Sequence, residues 1–546
     1  MDGKIKLKDI YNAVENSRSR YGKLKKCEIH FHTPASYDYR FSLETEYQRL
    51  DVGYILDVAV DQNYLSYEVA QTIKNEITEY VSEKYVQQLK ESGKPFDSFK
   101  EYITYMLIAH KLYQSDVEVA VITDHNTIKG YRKLKYAINE YFKDRVKNTK
   151  DREAVFLFLG VEITCSEKNH LVAIFDENKF SVIQSFLSEI IISEQEGTYY
   201  TSHYLIEKIV NEYDGIAYLA HLNSSNLLGS YGYNKTLFSM KEMLIAGLST
   251  LSKEKNVRQR IMEYSKQASK SLGFIYESDS HELETIGIQN TWIKFNEINF
   301  QSLKKAFFNF SISVYTEKPQ ISNKYIKGIV VESGLKGFLK AQEGNSYFVL
   351  EFSKDLNCII GGRGTGKSTV LNTIETILTL ETDNIDTLKF VSSHDMIYIL
   401  FHLLGNDYII QFIPQVEYHF SQLRFLDRAF EDEEMQDKLQ SHWINLFRVK
   451  DEESFIPISR RESIEILQQI YRQGYSINNI IKKIDSGEIS DFIKETIFYG
   501  VKYSVISDFM IELKRINKRS RLKFLRSNLM KMTGEIERRR EFVEQK

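Results

Sequence analysis

Proline and cysteine are scarce in this chain. Five prolines in 546 residues, with no run rich in Ser and Gly, leave no obvious disordered linker. Three scattered cysteines, Cys27, Cys165 and Cys358, argue against a disulfide scaffold or a cysteine-rich zinc site. They fit a reducing, cytoplasmic setting. Long hydrophobic runs are also missing. The longest apolar stretch, 396–413, is interrupted by Gly405-Asn406-Asp407 and reads as a β-hairpin rather than a membrane span. Met1-Asp2-Gly3-Lys4 opens no apolar run, so no signal peptide is expected. Charge of one sign is lacking too. Lys and Arg number 72 against 75 Asp and Glu, a net of -3, so any attraction to nucleic acid has to be local. No internal repeat is present.

What is there is an ordinary globular composition, 42% apolar and 27% charged, in a chain long enough for two to four domains. The first distinctive stretch is His30-Phe31-His32-Thr33-Pro34, after the apolar lead Cys27-Glu28-Ile29. Histidines at i and i+2 on a strand point to one side and can share one metal ion. Asp38 follows in a loop with Ser36 and Tyr37. Residues 41–115, with Ile73, Ile77, Val81 and Val86 at helical spacing, read as a helical cap beside the pocket or as a solvated appendage.

Five further strand-like runs carry acids or histidines within them or at their ends. Val117 to Ile122 leads into Thr123-Asp124-His125-Asn126, with a helix capped by Asn126 or Thr127 directly after. Val155 to Thr164 embeds Glu162, a carboxylate that is costly to bury unless paired or metal-bound. His170 heads the strand Leu171 to Phe175. Gly215 to Leu219 ends in Ala220-His221-Leu222-Asn223, and Gly273 to Glu277 in Ser278-Asp279-Ser280-His281. Strand ends followed by helices are where α/β folds place their chemistry. The remaining histidines, His110, His203, His394, His402, His419 and His442, lie in no such context and read as structural.

This ordered set, His-x-His, Thr-Asp-His, Gly-x-Glu, Leu-Ala-His-Leu-Asn and Ser-Asp-x-His, resembles the PHP (polymerase and histidinol phosphatase) family over about 24–315. The resemblance implies a distorted (β/α)7 barrel that binds two or three divalent ions (Zn, Mn or Fe) and hydrolyses phosphate esters. Carried over by motif, the metal ligands are His30, His32, Asp38, His125, Glu162, His170, His221, Asp279 and His281. The catalytic candidates are Glu162, as a bridging carboxylate, and His125, oriented by Asp124. Arg40 and Lys129 adjoin motif residues and are candidates to hold a substrate phosphate.

A second module follows. Strand-like runs at Lys327 to Glu332, Tyr347 to Phe352 and Leu356 to Ile360 precede Gly361-Gly362-Arg363-Gly364-Thr365-Gly366-Lys367-Ser368-Thr369, and a helix is expected over 370–380. This fits the full phosphate-loop pattern. Loop amides cradle phosphate at the helix N-terminus, Lys367 reaches the β/γ-phosphates and Ser368 binds Mg²⁺. The hairpin at 396–413 and the segment around Gln473 resemble the N-terminal lobe of ABC- and SMC-type ATPases. There a glutamine contacts Mg²⁺ and γ-phosphate, with Gln473 the first candidate and Gln415 the second. Leu522, Leu525, Leu529, Met532 and Ile536 form a heptad seam like the start of a coiled-coil arm. Neither an apolar run ending in Asp-Glu nor a Leu-Ser-Gly-Gly signature follows the phosphate loop. The resemblance therefore implies an ATPase front lobe that is truncated or completed by a partner chain, binding ATP with Mg but hydrolysing it poorly alone.

The expected architecture is α/β: a lead-in at 1–23, a PHP barrel at 24–315 and an ATPase half-domain at 316–546 resembling TrlF-like fusions. The expected function is a metal-dependent phosphoesterase acting on nucleic-acid phosphodiesters, coupled to an ATP-binding head that could also dimerise. The alternatives are a small-molecule phosphomonoesterase of histidinol-phosphatase type and a non-catalytic ATP-binding subunit.

Overall fold

The computed structural model describes residues 2–18, 21–41, 45–143, 153–223, 231–319, 323–335, 337–341, 346–379, 381–382, 390–391, 393–413, 423–424, 444–451 and 453–470. Contacts divide the chain into one unit of Arg20–Gln320 and another of Met1–Ser19 with Ile321–Lys546. Among the described residues no helix is long and apolar enough to cross a membrane.

The Arg20–Gln320 unit is built on nine strands: β1 Lys23–Phe31, β2 Val119–Ile122, β3 Phe156–Thr164, β4 His170–Phe175, β5 Ile216–Leu219, β6 Ile245–Leu248, β7 Gly273–Tyr276, β8 Thr291–Phe295 and β9 Val314–Tyr315. Their order in the sheet is β9-β8-β1-β2-β3-β4-β5-β6-β7. Neighbours among β1–β3 and among β5–β7 run parallel, while β4 is antiparallel to both β3 and β5. The sheet curls until its far edge returns to β1. Phe31 bridges Ser280 in parallel, and the His32 amide donates to the Ser280 carbonyl at 2.8 Å. Seven strands thus form a nearly closed, barrel-like sheet, compatible with the expected PHP barrel.

Local sequence explains the elements. In β3 every residue but Phe156 is buried, so Leu-Phe-Leu-Gly-Val is a continuous apolar run rather than an alternating one, as expected of a strand covered on both faces. In helix Lys129–Lys143, Tyr131, Leu134, Ala137, Ile138, Tyr141 and Phe142 recur at helical spacing and are buried. The 41–115 region is helical: Val52–Asp61, Tyr67–Asn75, Glu83–Glu91 and Phe99–Gln114 start at Asp51, Ser66, Ser82 and Ser98, whose side chains each accept an orphan amide. Its last helix is no appendage. Ten of its residues are buried, among them Tyr105, whose hydroxyl lies 2.9 Å from Thr33 Oγ1.

The second unit holds a six-stranded antiparallel sheet of β10 Lys324–Glu332, β11 Phe348–Glu351, β12 Met396–Leu403, β13 Asn406–Phe412, β14 Ile444–Asp451 and β15 Ser454–Pro457, in the order β11-β10-β12-β13-β14-β15. The hairpin expected at 396–413 is β12–β13. Helix Lys367–Thr379 covers one face through Val370, Ile374 and Ile377. Helix Asp2–Arg18 packs Leu7, Ile10 and Val14 against Val330, Tyr398, Leu400 and Ile409. The segment read from sequence as a lead-in to the first strand therefore packs with residues far downstream.

One expected element is absent. Leu356 to Ile360 forms no strand ahead of the glycine loop, and Leu356 and Ile360 are 89% and 92% exposed. The reason is local. The Asn357 side chain accepts from the Ser353 amide (2.8 Å) and donates to the Ser353 carbonyl (3.0 Å), turning the backbone out of the sheet. Gln415, Gln473 and the heptad seam lie outside the described residues.

Buried Lys327 ties the N-terminal helix to this sheet, its Nζ lying 2.6 Å from both Glu15 Oε1 and Asp407 Oδ2. Lys327→Met removes the cation that Glu15 and Asp407 share, leaving them, among the described residues, only Arg18 and His402 as basic neighbours, and is expected to cost about 3 kcal/mol, since breaking a buried ion pair costs roughly that much. Urea unfolding followed by fluorescence checks the value, and an unchanged midpoint refutes the tie.

Candidate metal centre

The nine motif residues converge at one end of the curled sheet. His30 and His32 leave the end of β1, where the pairing with β2 shifts register between Glu28 and Phe31. Such a bulge re-aims side chains. Asp38 lies on the following loop, His125 just beyond β2, His221 just beyond β5, and Asp279 and His281 just beyond β7. His170 comes from the opposite chain direction. Because β4 is antiparallel to β3, its first residue pairs with Thr164 and so reaches the same rim.

Glu162 sits at the middle of this arrangement, fully buried. Its Oε2 lies 3.0 Å from His30 Nε2, 3.2 Å from His32 Nε2 and 3.5 Å from His125 Nδ1. Its Oε1 lies 2.7 Å from His170 Nδ1 and 3.3 Å from His221 Nε2. Asp38 Oδ2 is 3.2 Å from both His125 Nε2 and His281 Nε2. Asp279 Oδ1 is 3.4 Å from His30 Nε2 and His32 Nε2. Non-glycine residues hold left-handed backbone here, with φ of 58° at Asn126, 32° at His221 and 51° at Asp279. Such positions persist where the surroundings over-determine them.

Electrostatics follow from this crowding. Burial alone would raise the Glu162 carboxyl, but the surrounding imidazoles hold it well below the usual range. The Asp38 and Asp279 carboxyls are likewise lowered, against burial, by their histidine neighbours. His30, His125 and His221 are raised, against burial, mainly by Glu162. His281 is raised to about 9 because Asp38 and Asp279 outweigh burial. His32 is the exception, lowered to about 4 by burial with His281 and His125 close by.

These residues fit divalent ions. Three groups each bring their ligand atoms within 4.8 Å of one another: His32, Asp38, His125 and His281; His30, His32, Glu162 and Asp279; and His125, Glu162 and His170. Mixed imidazole and carboxylate donors suit Zn, Mn or Fe. Two buried nitrogens inside the cluster, His32 Nε2 and His125 Nδ1, make no hydrogen bond. For His32 the opposite nitrogen is engaged, Nδ1 lying 3.3 Å from Ser36 Oγ, and in His281 Nδ1 is likewise fixed, 2.9 Å from the Asp279 carbonyl. Fixing one ring nitrogen frees the other to bind metal.

Other candidates fall elsewhere. Asp124 does not orient the His125 ring. It accepts from the Thr33 amide (2.7 Å) and hydroxyl (2.9 Å), and burial pushes its carboxyl up to about 7. Lys129 points away, 70% exposed and paired with Glu194 at 2.8 Å. His110 and His402 bond to Tyr141 and Asp407, outside the cluster. In the glycine loop, Lys367 Nζ turns back onto the Gly361 carbonyl at 2.6 Å and onto that of Gly362, and Gly364 and Gly366 adopt φ of 81° and 83°.

Two buried acids escaped the sequence reading. Glu277 Oε2 lies 3.1 Å from His30 Nδ1, and its other oxygen accepts the His221 amide. A Cβ at Gly247 would stand 2.0 Å from that carboxylate, so only glycine fits there. Glu28 accepts from Ser278 Oγ and, at 2.7 Å, from the Gly287 amide, and burial raises its carboxyl to about 8. The signal was period two: Glu28-His30-His32 and Glu277-Asp279-His281 each step by two along one chain direction.

Since Glu277 orients His30 from behind, Glu277→Gln is expected to weaken Mn²⁺ binding by about 10- to 100-fold, the usual cost of losing such a partner. Titration with Mn²⁺ monitored by calorimetry checks this, and unchanged affinity refutes the role.

No family model matches the chain. Solved structures with some likeness include PsfC from Pseudomonas syringae PB-5123, at 12% identity and a TM-score of 0.27 over 50% of this chain and 82% of that one. Another is the lesion-specific endonuclease PfuEndoQ from Pyrococcus furiosus, at 12% identity and a TM-score of 0.30 over 60% and 69%. An uncharacterized protein of Streptococcus pneumoniae serotype 4 is 34% identical over 199 residues, spanning 36% of this chain and 69% of its own length. Identity of that extent means that the chain belongs to the same family as the streptococcal protein.

Proposed function

We propose that the Arg20–Gln320 unit is a metal-dependent phosphoesterase acting on nucleic-acid phosphodiesters. The observation that carries the reading is the buried Glu162 carboxylate ringed by five imidazoles, with Asp38 and Asp279 beside it. The nine motif residues are proposed to hold two or three divalent ions. When bound, such ions polarise a phosphoryl group and acidify water. The protein's own part is positional. Glu162 is the shared carboxylate, His125 is held by Asp38, and Asp124 fixes the Thr33 turn rather than touching substrate. Water oxygen bonds to phosphorus, the P–O ester bond breaks, and the water proton ends on the departing hydroxyl.

Exposed aromatic rings favour a nucleic-acid substrate. Tyr37 is 42% exposed, with its ring 5.4 Å from that of His125. Tyr200 and Tyr204 stack at 4.8 Å and 18°. The Tyr200 carbonyl accepts from Ser166, in the turn between β3 and His170. Unpaired bases stack on such rings, each contact worth about 1–3 kcal/mol. The test is Mn²⁺-loaded protein against bis-p-nitrophenyl phosphate and labelled single-stranded DNA and RNA. Cleavage of the diesters is expected, and Glu162→Gln should lower kcat/KM by about 1000-fold or more, the equivalent of roughly 4 kcal/mol. Hydrolysis of p-nitrophenyl phosphate alone would favour the small-molecule phosphomonoesterase.

We further propose that Gly361 to Thr369 bind the phosphates of ATP. Support comes from the sequence pattern, the left-handed Gly364 and Gly366, and the helix that starts at Lys367. Lys367→Ala is expected to abolish binding of a fluorescent ATP analogue while leaving diester cleavage without nucleotide intact. Equal binding by variant and parent sinks this assignment.

A further inference from the structure

We propose that a cavity opening beside His281 receives a phosphate of the substrate and that Arg40 is the residue that binds it. The inference rests on the phosphoesterase reading and names its substrate subsite. The cavity, of about 420 Å³, is lined by Asp38, Asp279 and His281 from the metal cluster and by Arg40, Thr285 and Gln289 from around it. That volume falls within the range of small-molecule sites. An occupant there lies against three of the cluster side chains at once.

Arg40 is the only Lys or Arg in this lining. It is exposed, and among the described residues no carboxylate lies within ion-pair distance of it, although Asp38, Asp279 and Glu282 line the same cavity. Two of those acids are engaged elsewhere. Asp38 is engaged with His125 and His281, and Asp279 with His30 and His32. The main chain around Arg40 is fixed. Its amide donates to the His281 carbonyl at 3.1 Å, and the next residue, buried Phe41, bridges Glu282. The backbone of Arg40 is thus anchored two residues from Asp38, and among the described residues no carboxylate pairs with its guanidinium. A planar fork of donors matches phosphate geometry.

The test separates this subsite from the chemistry. Arg40→Gln and Arg40→Lys are compared with the parent, each loaded with Mn²⁺ and checked for metal content. Inorganic phosphate is then titrated in and followed by calorimetry. Arg40→Gln is expected to bind phosphate about 10- to 100-fold more weakly at unchanged metal content, the range for one charge-assisted contact, with Arg40→Lys between. The KM for bis-p-nitrophenyl phosphate should rise in the same order. Phosphate affinity equal in all three proteins, or loss of metal from Arg40→Gln, overturns the subsite. Phosphate binding that depends on Arg40 in a protein cleaving no ester would leave the subsite standing and sink the hydrolase reading instead.

Discussion

A carboxylate with no access to water has to be matched where it stands, and Glu162 is matched by histidines on every side. That requirement organises the first unit. Five imidazoles reach Glu162 from β1, from the loops after β2 and β5, and from the head of β4. None of these positions can shift alone, because the charge of Glu162 is tolerated only while the ring is complete. The sheet has to curl to bring those elements together, and the backbone bonds between the ends of β1 and β7 hold it curled.

Around that centre the fold supplies restraint in layers. Asn126 donates its amide to the Glu162 carbonyl at 2.7 Å, while its side chain accepts from Thr164, lacing the His125 loop to β3. Thr33 joins three elements: it bonds to Asp124 after β2 and to Tyr105 on the inserted helix. Glu277 stands behind His30 and His221, in space left free by Gly247. A region that looks like an ornament on the barrel, residues 41–115, thereby buttresses the turn after the first histidine pair.

Much of this centre was legible in the sequence because its residues stand at strand ends, where apolar runs meet polar tips. His30, His32, His125, Glu162, His170, His221, Asp279 and His281 carry that signal. Glu28 and Glu277 do not, since Glu28 sits inside the apolar lead Cys27-Glu28-Ile29 and Glu277 closes the run that begins at Gly273, each reading as part of the strand. Only its step of two from a histidine or an aspartate marks it. The partner of Asp124 was misread because sequence adjacency to His125 says nothing about which way a side chain turns. The packing of helix Asp2–Arg18 on β10, β12 and β13 was illegible in principle, since contacts separated by more than 300 positions leave no local periodicity. At Leu356 to Ile360 the apolar composition pointed to a strand, but one asparagine satisfying the backbone of Ser353 was enough to divert the chain.

The charge state of the cluster bears on how it assembles. Small zinc modules have little structure until the metal arrives, because their ligands repel or ignore one another without it. Here the ligands attract one another. His30, His125, His221 and His281 are shifted toward the protonated form, and Glu162, Asp38 and Asp279 toward the ionised one, so protons already provide the cations the carboxylates need. Sign matters in this argument. The His281 contribution to folding is full below its unfolded value near 6.5 and fades as pH rises towards 9. Over that same interval a divalent ion meets less competition from protons. Protons and metal ions are therefore alternative occupants of one preformed frame, and His32, held neutral by burial, keeps an unprotonated nitrogen inside it throughout.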